Sequence, residues 1–401
     1  MSWLPTIGKL DPEQRSIVDL IVAQDGNFYF EGEAGTGKTV VLAHIAMKYK
    51  KENPGSKVAL LTYVNALADY LAEGVAGSGV YVQTIVREIF HPKAKYDLLL
   101  IDEAQDIRKE WIAKFKKIGC RFVFAADFDQ MISGRTANIV EKGDLEKNFG
   151  IQTTLPKLRR DYRLPKSHRE LLRITYLGGR EFKSEITRTL ELANVEVYHA
   201  KTWSRESLRV QDFLKGNVKI GKPAAALFDR NHQIRRFIEE VEPEVKDAFV
   251  GCGDWEFFGK VNVCLAEKQS QYRYLGRLSD DMRKILADDH HNNMLECKSK
   301  PMIYLMTYHG SKGLDFDTVA VPNLRTGGAK VRFNTFYVAM TRCRKRLMLS
   351  YNGKAGPQVE GIRAFGKYID FTSEYNPDMI QPLFTQGTFW WDIPEEHGEC
   401  P

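Results

Sequence analysis

The sequence predicts an α/β fold built on parallel sheets. Three observations lead to this prediction. Short apolar runs typical of buried strands recur along the chain, most of them are followed by a stretch of helical periodicity, and a glycine-rich loop joins one strand to one helix. The 401 residues suffice for two ordinary domains, and 43% hydrophobic with 27% charged residues is a soluble globular balance.

The strand-like runs fall into two groups, with no internal sequence repeat between them. In the first half they are Phe28–Phe30, Lys57–Thr62, Tyr96–Ile101 and Phe122–Ala126; in the second half they are Ala224–Phe228, Met302–Met306, Thr318–Val321 and Arg346–Tyr351. Pro165 lies between the groups, and a glycine-rich cluster at 353–357 follows the last run. We therefore expect a first core domain at 1–160, a second at 161–355 and a C-terminal tail at 356–401.

Charge and cysteine content limit the class of protein. The net charge is +6 and the pI is about 8.8, which is compatible with a polyanionic partner and is also common in proteins that bind no nucleic acid. The first residues lack the apolar core of a signal peptide, and no stretch has the length of a membrane span. Six cysteines without C-x-x-C spacing predict reduced thiols in a cytoplasmic protein. The lack of a span-length apolar stretch predicts that the protein does not contact a membrane.

A glycine-rich segment, EGEAGTGKTVVL, follows the first strand-like run. The spacing of Gly32, Gly37, Lys38 and Thr39 is that of a P-loop, with Gly35 between the two outer glycines. Backbone N–H groups of such a loop surround phosphates at a helix N-terminus, the lysine reaches the β- and γ-phosphates, and the hydroxyl binds Mg²⁺. The alternative is a glycine-rich turn with a solvated lysine, but the apolar strand before it and helix after it favour phosphate binding.

Carboxylates follow two further strands. The run YDLLLIDEAQD places Asp102 and Glu103 at the carboxyl end of a buried strand, where ligands bind in open α/β sheets. Asp102 is suited to hold Mg²⁺, and Glu103 to orient and polarise the attacking water. The run FVFAADFDQ brings Asp127 and Gln130 to the same edge, where Gln130 is a candidate sensor of the γ-phosphate.

These motifs resemble those of the UvrD/Rep-like superfamily 1 DNA helicases, and they occur in the same order along most of the chain. The further segments that carry the resemblance are LDPEQRSIV, LLTYVNALADYL, VQTI, LRRDYRLP, LFDRNHQIRRFIEE, LMTYHGSKGLDF and FYVAMTRCRKRL. The SKGLDF and DEAQD segments resemble the UvrD branch. The Pif1/RecD branch usually carries Gln where Lys312 stands.

The resemblance implies two RecA-like P-loop NTPase domains with ATP and Mg²⁺ in the cleft between them. It implies catalytic roles for Lys38, Glu103, Gln130, Arg163 and Arg342, and magnesium ligation by Thr39 and Asp102. It implies nucleotide contacts by Gln14, Gly32, Gly35, Gly37, Lys38, Thr39, Gly313 and Asp315. It implies nucleic-acid contacts by Thr62, Tyr63, Asn65, Thr84 and His309. The implied partner is single-stranded DNA, with RNA as an alternative, and the implied direction is 3′→5′.

Two features, Arg342 and the segment QYRYLGR, are each compatible with a functional and with a purely structural role. Charge on the γ-phosphate requires fixed cations, for which Arg163 and Arg342 are the candidates, and by resemblance both reach across from the second domain. Arg342 also fits a basic helix end that interacts with its own helix dipole. The segment QYRYLGR combines aromatic and basic residues, as a strand-binding surface does, but its tyrosines also fit a buried strand.

The sequence departs from the family at several positions. Where UvrD-like motors usually carry a Tyr and a Trp that pack on bases, this chain has Ser133 and Arg135. Val40 replaces a common arginine near the base, and Asp315 replaces a longer Glu that contacts the ribose. The intervals between the motifs leave no room for the large accessory subdomains, which predicts a compact form of the helicase.

Two functions therefore remain as hypotheses. The first is an ATP-driven translocase or helicase on single-stranded DNA, which the complete catalytic set favours. The second is a nucleotide-dependent switch or sensor subunit of a nuclease or anti-phage defence complex, which the missing stacking residues and subdomains favour. In the second case a protein partner such as a nuclease is expected.

Overall fold

Two parallel sheets form the core of the protein in a computed structural model. The structure describes residues 4–127, 138–151, 153–165, 168–169, 172, 185–186, 194–276, 301–325, 333–356, 359 and 369–370. Six strands form the first sheet and seven form the second, with one separate two-stranded pair. The prediction of an α/β fold with parallel sheets is confirmed.

The first sheet has the strand order β3-β2-β4-β5-β1-β6. Its strands are β1 (Phe28–Glu31), β2 (Val58–Thr62), β3 (Tyr81–Thr84), β4 (Tyr96–Ile101), β5 (Gly119–Ala126) and β6 (Thr153–Thr154). Every residue of β2 is buried, and so are the last four residues of β4. Continuous burial is expected of a parallel strand covered by helices on both faces, and it explains the uninterrupted apolar runs.

In the part of the first half that the structure describes, six helices accompany this sheet. They are α1 (Pro12–Ala23), α2 (Lys38–Glu52), α3 (Asn65–Gly74), α4 (Ile85–Phe90), α5 (Ile112–Ile118) and α6 (Lys142–Phe149). The start of α1 is fixed by a capping box, in which Asp11 accepts from the backbone N–H of Gln14 and the Gln14 side chain accepts from the backbone of Asp11. Helix α2 begins directly after the glycine-rich loop, so its N-terminus faces the loop.

The second sheet has the strand order β11-β12-β10-β13-β14-β9-β15. Its strands are β9 (Asn194–Ala200), β10 (Ala224–Phe228), β11 (Tyr272–Tyr274), β12 (Ile303–Thr307), β13 (Phe316–Val321), β14 (Cys343–Asn352) and β15 (Ile369–Asp370). Strands β7 (Arg160–Asp161) and β8 (Glu185–Ile186) form the separate pair. Strand β15 pairs with β9 although it lies in the predicted tail, and the proposed domain bounds remain predictions.

Among the described residues of the second half, five helices have defined bounds. They are α7 (Trp203–Asn217), α8 (Asn231–Val241), α9 (Pro243–Ala248), α10 (Asp254–Glu267) and α11 (Phe333–Met340). Helix α7 starts at Thr202, whose side chain accepts from the backbone N–H of Arg205. In the described part of the chain, no helix is long and apolar enough to cross a membrane.

The two halves meet where the turn after β12 approaches helix α3. A Cβ atom added to Gly313 would lie 2.2 Å from a methyl carbon of Leu67, and the backbone φ of Gly313 is 80°. Only glycine adopts this conformation without strain and permits this approach. The contact brings the SKGLDF segment of the second half against the first sheet.

Candidate nucleotide-binding and catalytic site

The glycine-rich loop between β1 and α2 has the backbone that a phosphate cradle requires. Gly35 and Gly37 have φ values of 82° and 84°, in the left-handed region. A Cβ at Gly32 would lie 2.3 Å from Oγ1 of Thr36, and one at Gly37 would lie 2.5 Å from Nε2 of Gln14. All three glycines are therefore required by geometry, and the loop fits a bound phosphate chain.

Lys38 is buried inside this loop. Its Nζ donates to the carbonyl oxygens of Gly32 and Glu33, at 2.8 and 3.2 Å, and lies 3.9 Å from the Asp127 carboxylate. The ammonium is thus held at the centre of the predicted phosphate site by neutral carbonyls and one carboxylate. A phosphate is a stronger partner for it than a carbonyl oxygen.

Thr39 and Asp102, the two predicted magnesium ligands, lie next to each other. The Thr39 hydroxyl donates to Oδ2 of Asp102 at 2.6 Å, and the backbone N–H of Glu103 donates to Oδ1 at 2.9 Å. Burial, together with the charge of Glu103, raises the pKa of Asp102 to about 6. A divalent cation between these two side chains would relieve that destabilised charge.

The side chains of Thr39 and Asp102 are too few to hold a metal ion by themselves, but they suit Mg²⁺ bound together with a nucleotide. Among the described residues, no group of three or more His, Cys, Asp or Glu side chains could hold a metal ion. Mg²⁺ in phosphate-transfer sites keeps waters and takes only one or two protein ligands besides the substrate phosphates. Thr39 and Asp102 supply that number.

Glu103 follows Asp102 in a left-handed backbone conformation, with a φ of 56°. Its Oε2 accepts from Nε2 of Gln105 at 2.6 Å and lies 3.5 Å from Nζ of Lys312 in the other half of the protein. Burial opposes ionisation of this carboxyl, but the charges of Lys312 and Lys38 outweigh it and hold its pKa at about 2. A non-glycine residue in this region is uncommon and is typical of functional sites.

Arg342, the predicted arginine finger, lies directly after helix α11 and is 1% exposed. Its guanidinium donates to the carbonyl oxygens of Val338 (2.9 Å) and Leu314 (3.1 Å) and to the hydroxyl of Thr341 (2.8 Å). Burial, and next the charge of Arg163, lower its pKa to about 9, whereas Glu103 acts in the opposite direction. In this conformation Arg342 satisfies a helix end, and it also lies in the electrostatic surroundings of Glu103.

Arg163 and Asp315 are paired with each other. Oδ2 of Asp315 accepts from Nε of Arg163 at 3.1 Å and from Nη2 of Arg344 at 2.7 Å. Burial opposes ionisation of Asp315, but the two arginines hold its pKa below the usual range. The pairing occupies Oδ2 of Asp315, which was predicted to contact the ribose, and Nε of Arg163, which was predicted to reach a phosphate.

The backbone before Arg163 follows the P-loop. The N–H of Leu158 donates to the carbonyl oxygen of Glu31, and that of Tyr162 donates to the carbonyl oxygen of Gly35, each at 2.9 Å. Arg163 therefore stands beside the loop while its side chain contacts the second half. This placement was not foreseen, because it depends on how the segment between the two sheets returns to the first.

Gln14, the predicted base reader, connects helix α1 to the P-loop. Its Nε2 donates to the carbonyl oxygen of Thr36 at 3.0 Å, while its Oε1 accepts from the N–H of Asp11 at 3.2 Å. Gln14 as a whole is 4% exposed. Gln14 thus already orders the loop that would hold the nucleotide.

Replacing Gln14 with Glu is expected to reduce the preference for ATP over other nucleoside triphosphates by about fivefold, the equivalent of one hydrogen bond. The substitution keeps the acceptor for Asp11 but removes the Nε2 donor. The measurement is binding of the four triphosphates, with Gln24→Glu, just after α1, as control. An unchanged preference would show that Gln14 only orders the loop.

The predicted nucleic-acid residues differ in accessibility. Tyr63 is half-buried and stacks on Trp111, with ring centroids 6.3 Å apart. Asn65 is half-buried at the first position of α3, and His309 is exposed. Thr62 and Thr84 are buried, so in this conformation their side chains do not face solvent. Gln130, Ser133 and Arg135 lie outside the described residues.

Some residues at this edge were missed by sequence reasoning. The guanidinium carbon of Arg108 lies 5.5 Å from the ring centroid of Trp111. Oδ2 of Asp106 accepts a hydrogen bond from Nζ of Lys312. The position of Asp106 at the end of DEAQD was a usable signal, whereas nothing local indicated Trp111. The segment QYRYLGR supplies buried strand β11, so the core interpretation of its tyrosines is the correct one.

The fold and the site together define a P-loop NTPase in which a second parallel sheet faces the nucleotide loop. Residues 9–133 match the family described as AAA domain, and residues 265–354 match the UvrD-like helicase C-terminal domain. These two matches support a UvrD-like superfamily 1 helicase. No curated protein matches it in sequence.

Two solved structures are similar to the chain over large parts of its length. One is an arterivirus nonstructural protein 10 (helicase), at 12% identity and a TM-score of 0.40, covering 85% of this chain and 61% of that one. The other is the C-terminal domain of a possible DNA helicase from Lactobacillus plantarum, at 15% identity and a TM-score of 0.32. It covers 53% of this chain and 99% of that domain. The chain thus spans less than two thirds of the viral helicase chain.

Proposed function

We propose that this protein hydrolyses ATP in the cleft between its two RecA-like domains and uses the cycle to move along single-stranded DNA, in the 3′→5′ sense. The observation that carries the proposal is the Thr39–Asp102 hydrogen bond of 2.6 Å beside the buried Lys38. The P-loop and the strand-end carboxylate, far apart in sequence, meet in the geometry that nucleotide hydrolysis requires. The direction comes from the resemblance to the UvrD branch.

Each step has a residue suited to it. Lys38 exchanges its carbonyl partners for the β- and γ-phosphates, and Glu103 orients the attacking water and accepts its proton. Thr39 and Asp102 would hold Mg²⁺, which would supply charge neutralisation at the phosphates. Arg342 and Arg163 stabilise the charge that develops on the γ-phosphate.

Cleft closure is required because the cations come from different parts of the chain. Arg342 is held by carbonyl oxygens of the second half, and Arg163 is held by Asp315. Both must change partners to reach a phosphate on the first sheet. Hydrolysis is thereby coupled to relative motion of the two sheets.

A single strand is proposed to run across the carboxyl edge of the first sheet and the turn after β12. Tyr63, Asn65 and His309 are the predicted contacts there that are not buried. Lysines and arginines bind the phosphates, and an aromatic face stacks a base. Because much of the binding comes from phosphate contacts, we expect the affinity for single strands to fall steeply as the salt concentration rises.

Replacing Tyr63 with Ala is expected to weaken single-strand binding by about 1–3 kcal/mol, the usual contribution of one base stacked on an aromatic ring. Tyr63→Phe is the matched control, because it retains the ring and loses only the hydroxyl. The measurement is fluorescence anisotropy of a labelled oligonucleotide over a salt titration. Equal affinities of Tyr63→Ala and Tyr63→Phe for the oligonucleotide would show that the Tyr63 ring does not stack on a base of the strand.

A specific observation favours the second candidate, a nucleotide-dependent switch or sensor subunit. Thr62 and Thr84 are buried, which reduces the accessible predicted contacts. A protein that changes its contacts with a partner on binding ATP does not need a continuous nucleic-acid-binding surface along which to move. A nuclease is the kind of partner proposed in that case.

The test is displacement of streptavidin from biotin at either end of an oligonucleotide, with ATP turnover measured in parallel. A 3′→5′ translocase removes streptavidin from the 5′ end, and RNA oligonucleotides test the choice of nucleic acid. Displacement only from the 3′ end would overturn the proposed direction. Stimulated ATP turnover without displacement at either end would favour the switch.

A further inference from the structure

Two flat side chains pack against one buried tryptophan at the carboxyl edge of the first sheet. Tyr63 directly follows β2, and Arg108 and Trp111 lie on the connection between β4 and α5. The rings of Tyr63 and Trp111 are 6.3 Å apart at an interplanar angle of 29°, and the guanidinium carbon of Arg108 lies 5.5 Å from the Trp111 ring centroid. Trp111 is 5% exposed, whereas Tyr63 is half-buried and Arg108 is exposed. Trp111 is therefore the buried ring that supports two more accessible groups.

The backbone of Arg108 is fixed although its side chain is exposed. Arg108 forms an antiparallel bridge with Ile139, and the N–H of Lys109 donates to the carbonyl oxygen of Asn138 at 2.8 Å. Only the side chain of Arg108 would have to be ordered on binding a ligand, and its packing over Trp111 already restricts it. A group held in this way loses little conformational entropy when it binds.

The charge of Arg108 is only weakly engaged within the protein. Its ion pair with Glu110 has an N–O distance of 3.7 Å, and the two side chains are 55% and 67% exposed. An exposed pair of this kind contributes little to stability, because solvent screens the two charges. Burial raises the pKa of the Tyr63 hydroxyl, and the charge of Arg108 acts in the opposite direction. Arg108 is thus a neighbour of Tyr63 as well as of Trp111.

A flat cation held over an aromatic ring is suited to a nucleic-acid base. Bases stack on aromatic side chains and on the planes of arginine guanidinium groups, and every base offers a π-face. The positive charge adds attraction to that face. A phosphate contact requires the charge of Arg108 and gives Trp111 no part. The packing of Arg108 over Trp111 therefore favours a base over a phosphate as its ligand.

We propose that Arg108 is a further strand contact, in which the guanidinium held over Trp111 beside Tyr63 stacks on a base of the bound single strand. Tyr63 and Arg108 then hold bases side by side at the edge where the strand is proposed to run. Because stacking does not read the edges of the bases, this contact accepts any sequence. The inference rests on the proposed function, since it requires a strand at the carboxyl edge of the first sheet.

Arg108→Lys separates stacking from charge, because lysine keeps the positive charge and lacks the flat guanidinium. The experiment measures the affinity of the full chain for two labelled oligonucleotides of equal length over a salt titration. One is oligothymidylate, and the other has the same sugar–phosphate backbone without bases. Arg108→Lys and Arg108→Ala should both bind oligothymidylate about 2- to 30-fold more weakly than wild type, the range for a cation on a π-face.

The oligonucleotide without bases provides the comparison for charge. Arg108→Lys should bind it within about twofold of wild type and with the same salt dependence, because the charge near the phosphates is retained. Arg87→Lys is the matched control, since Arg87 is an exposed arginine of helix α4 in the same half of the chain. It should leave the affinities for both oligonucleotides unchanged. Thermal unfolding establishes that each variant is folded.

The outcomes separate the inference from the function on which it rests. Wild-type affinity of Arg108→Lys for oligothymidylate would overturn the stacking contact, and a loss in Arg108→Ala alone would then identify a phosphate contact. Equal losses of Arg108→Lys on the oligonucleotides with and without bases would also overturn it, because they indicate a merely structural effect. A wild-type chain that binds neither oligonucleotide would overturn the proposed function itself.

Discussion

Replacing Glu103 with Gln is expected to slow ATP hydrolysis by about 10²–10⁴-fold, the usual contribution of a general base. The glutamine keeps the size of the side chain, so Lys38, Thr39 and Asp102 should bind ATP and Mg²⁺ as before. The measurements are phosphate release and the affinity of a fluorescent ATP analogue. The expected result is a protein that holds ATP without turning it over.

Glu110→Gln is the matched control for this substitution, because Glu110 lies on the same connection after β4 and is exposed. It should hydrolyse ATP at the wild-type rate. Wild-type turnover in Glu103→Gln would mean that another group activates the water. Loss of nucleotide binding would instead indicate that the Glu103 charge supports the loop.

Arg342→Ala is expected to bind ATP normally and to hydrolyse it at least about 10³-fold more slowly, as removal of an arginine finger does. The side chain also satisfies the carbonyl oxygens of Val338 and Leu314, so the substitution will cost stability as well. Arg342→Lys separates the two effects, since it retains a donor near the helix end and loses the planar fork. Single-turnover hydrolysis and thermal unfolding are measured for both.

Arg346→Lys serves as the control, because Arg346 is an exposed residue of β14, the strand that follows Arg342. If Arg342 acts on the γ-phosphate, Arg342→Lys stays folded and hydrolyses slowly. If Arg342 only completes the helix end, both variants lose stability and the folded fraction retains normal turnover. The second result would remove Arg342 from the catalytic site.

The central strands of both sheets could be predicted from sequence because their environment leaves a simple pattern. Strand β10 was predicted at Ala224–Phe228 and is found there, and β2 differs from its prediction by one residue. Both lie between other strands and are buried along their whole length. Burial on both faces produces an uninterrupted apolar run, which the sequence displays directly.

Edge and irregular strands could not be predicted in this way. Strand β3 is at the edge of the first sheet and has half-buried residues and a glutamine, so it lacks an apolar run. Strand β11 was considered as a nucleic-acid surface because Arg273 stands between two tyrosines. All three are buried, and the Arg273 guanidinium donates to the carbonyl oxygen of Tyr272 at 2.9 Å.

In the candidate site, too, some features could be predicted from the sequence and others could not. The P-loop and the carboxylates after β4 were predictable because each is a local motif at the end of a strand. The pairing of Lys312 with Asp106 and of Arg163 with Asp315 was not predictable. These contacts depend on how two distant sheets approach each other, which no local pattern records.

If ATP hydrolysis in the cleft drives movement along a single strand, ATP turnover should depend on strand length. The experiment is steady-state Mg²⁺-ATP turnover by the full chain with single-stranded DNA of increasing length. Turnover should require the strand and rise with its length to a plateau, because a moving protein hydrolyses more ATP on each longer strand before it dissociates. Turnover that is independent of length once the strand covers the site, or that needs no strand, would contradict translocation.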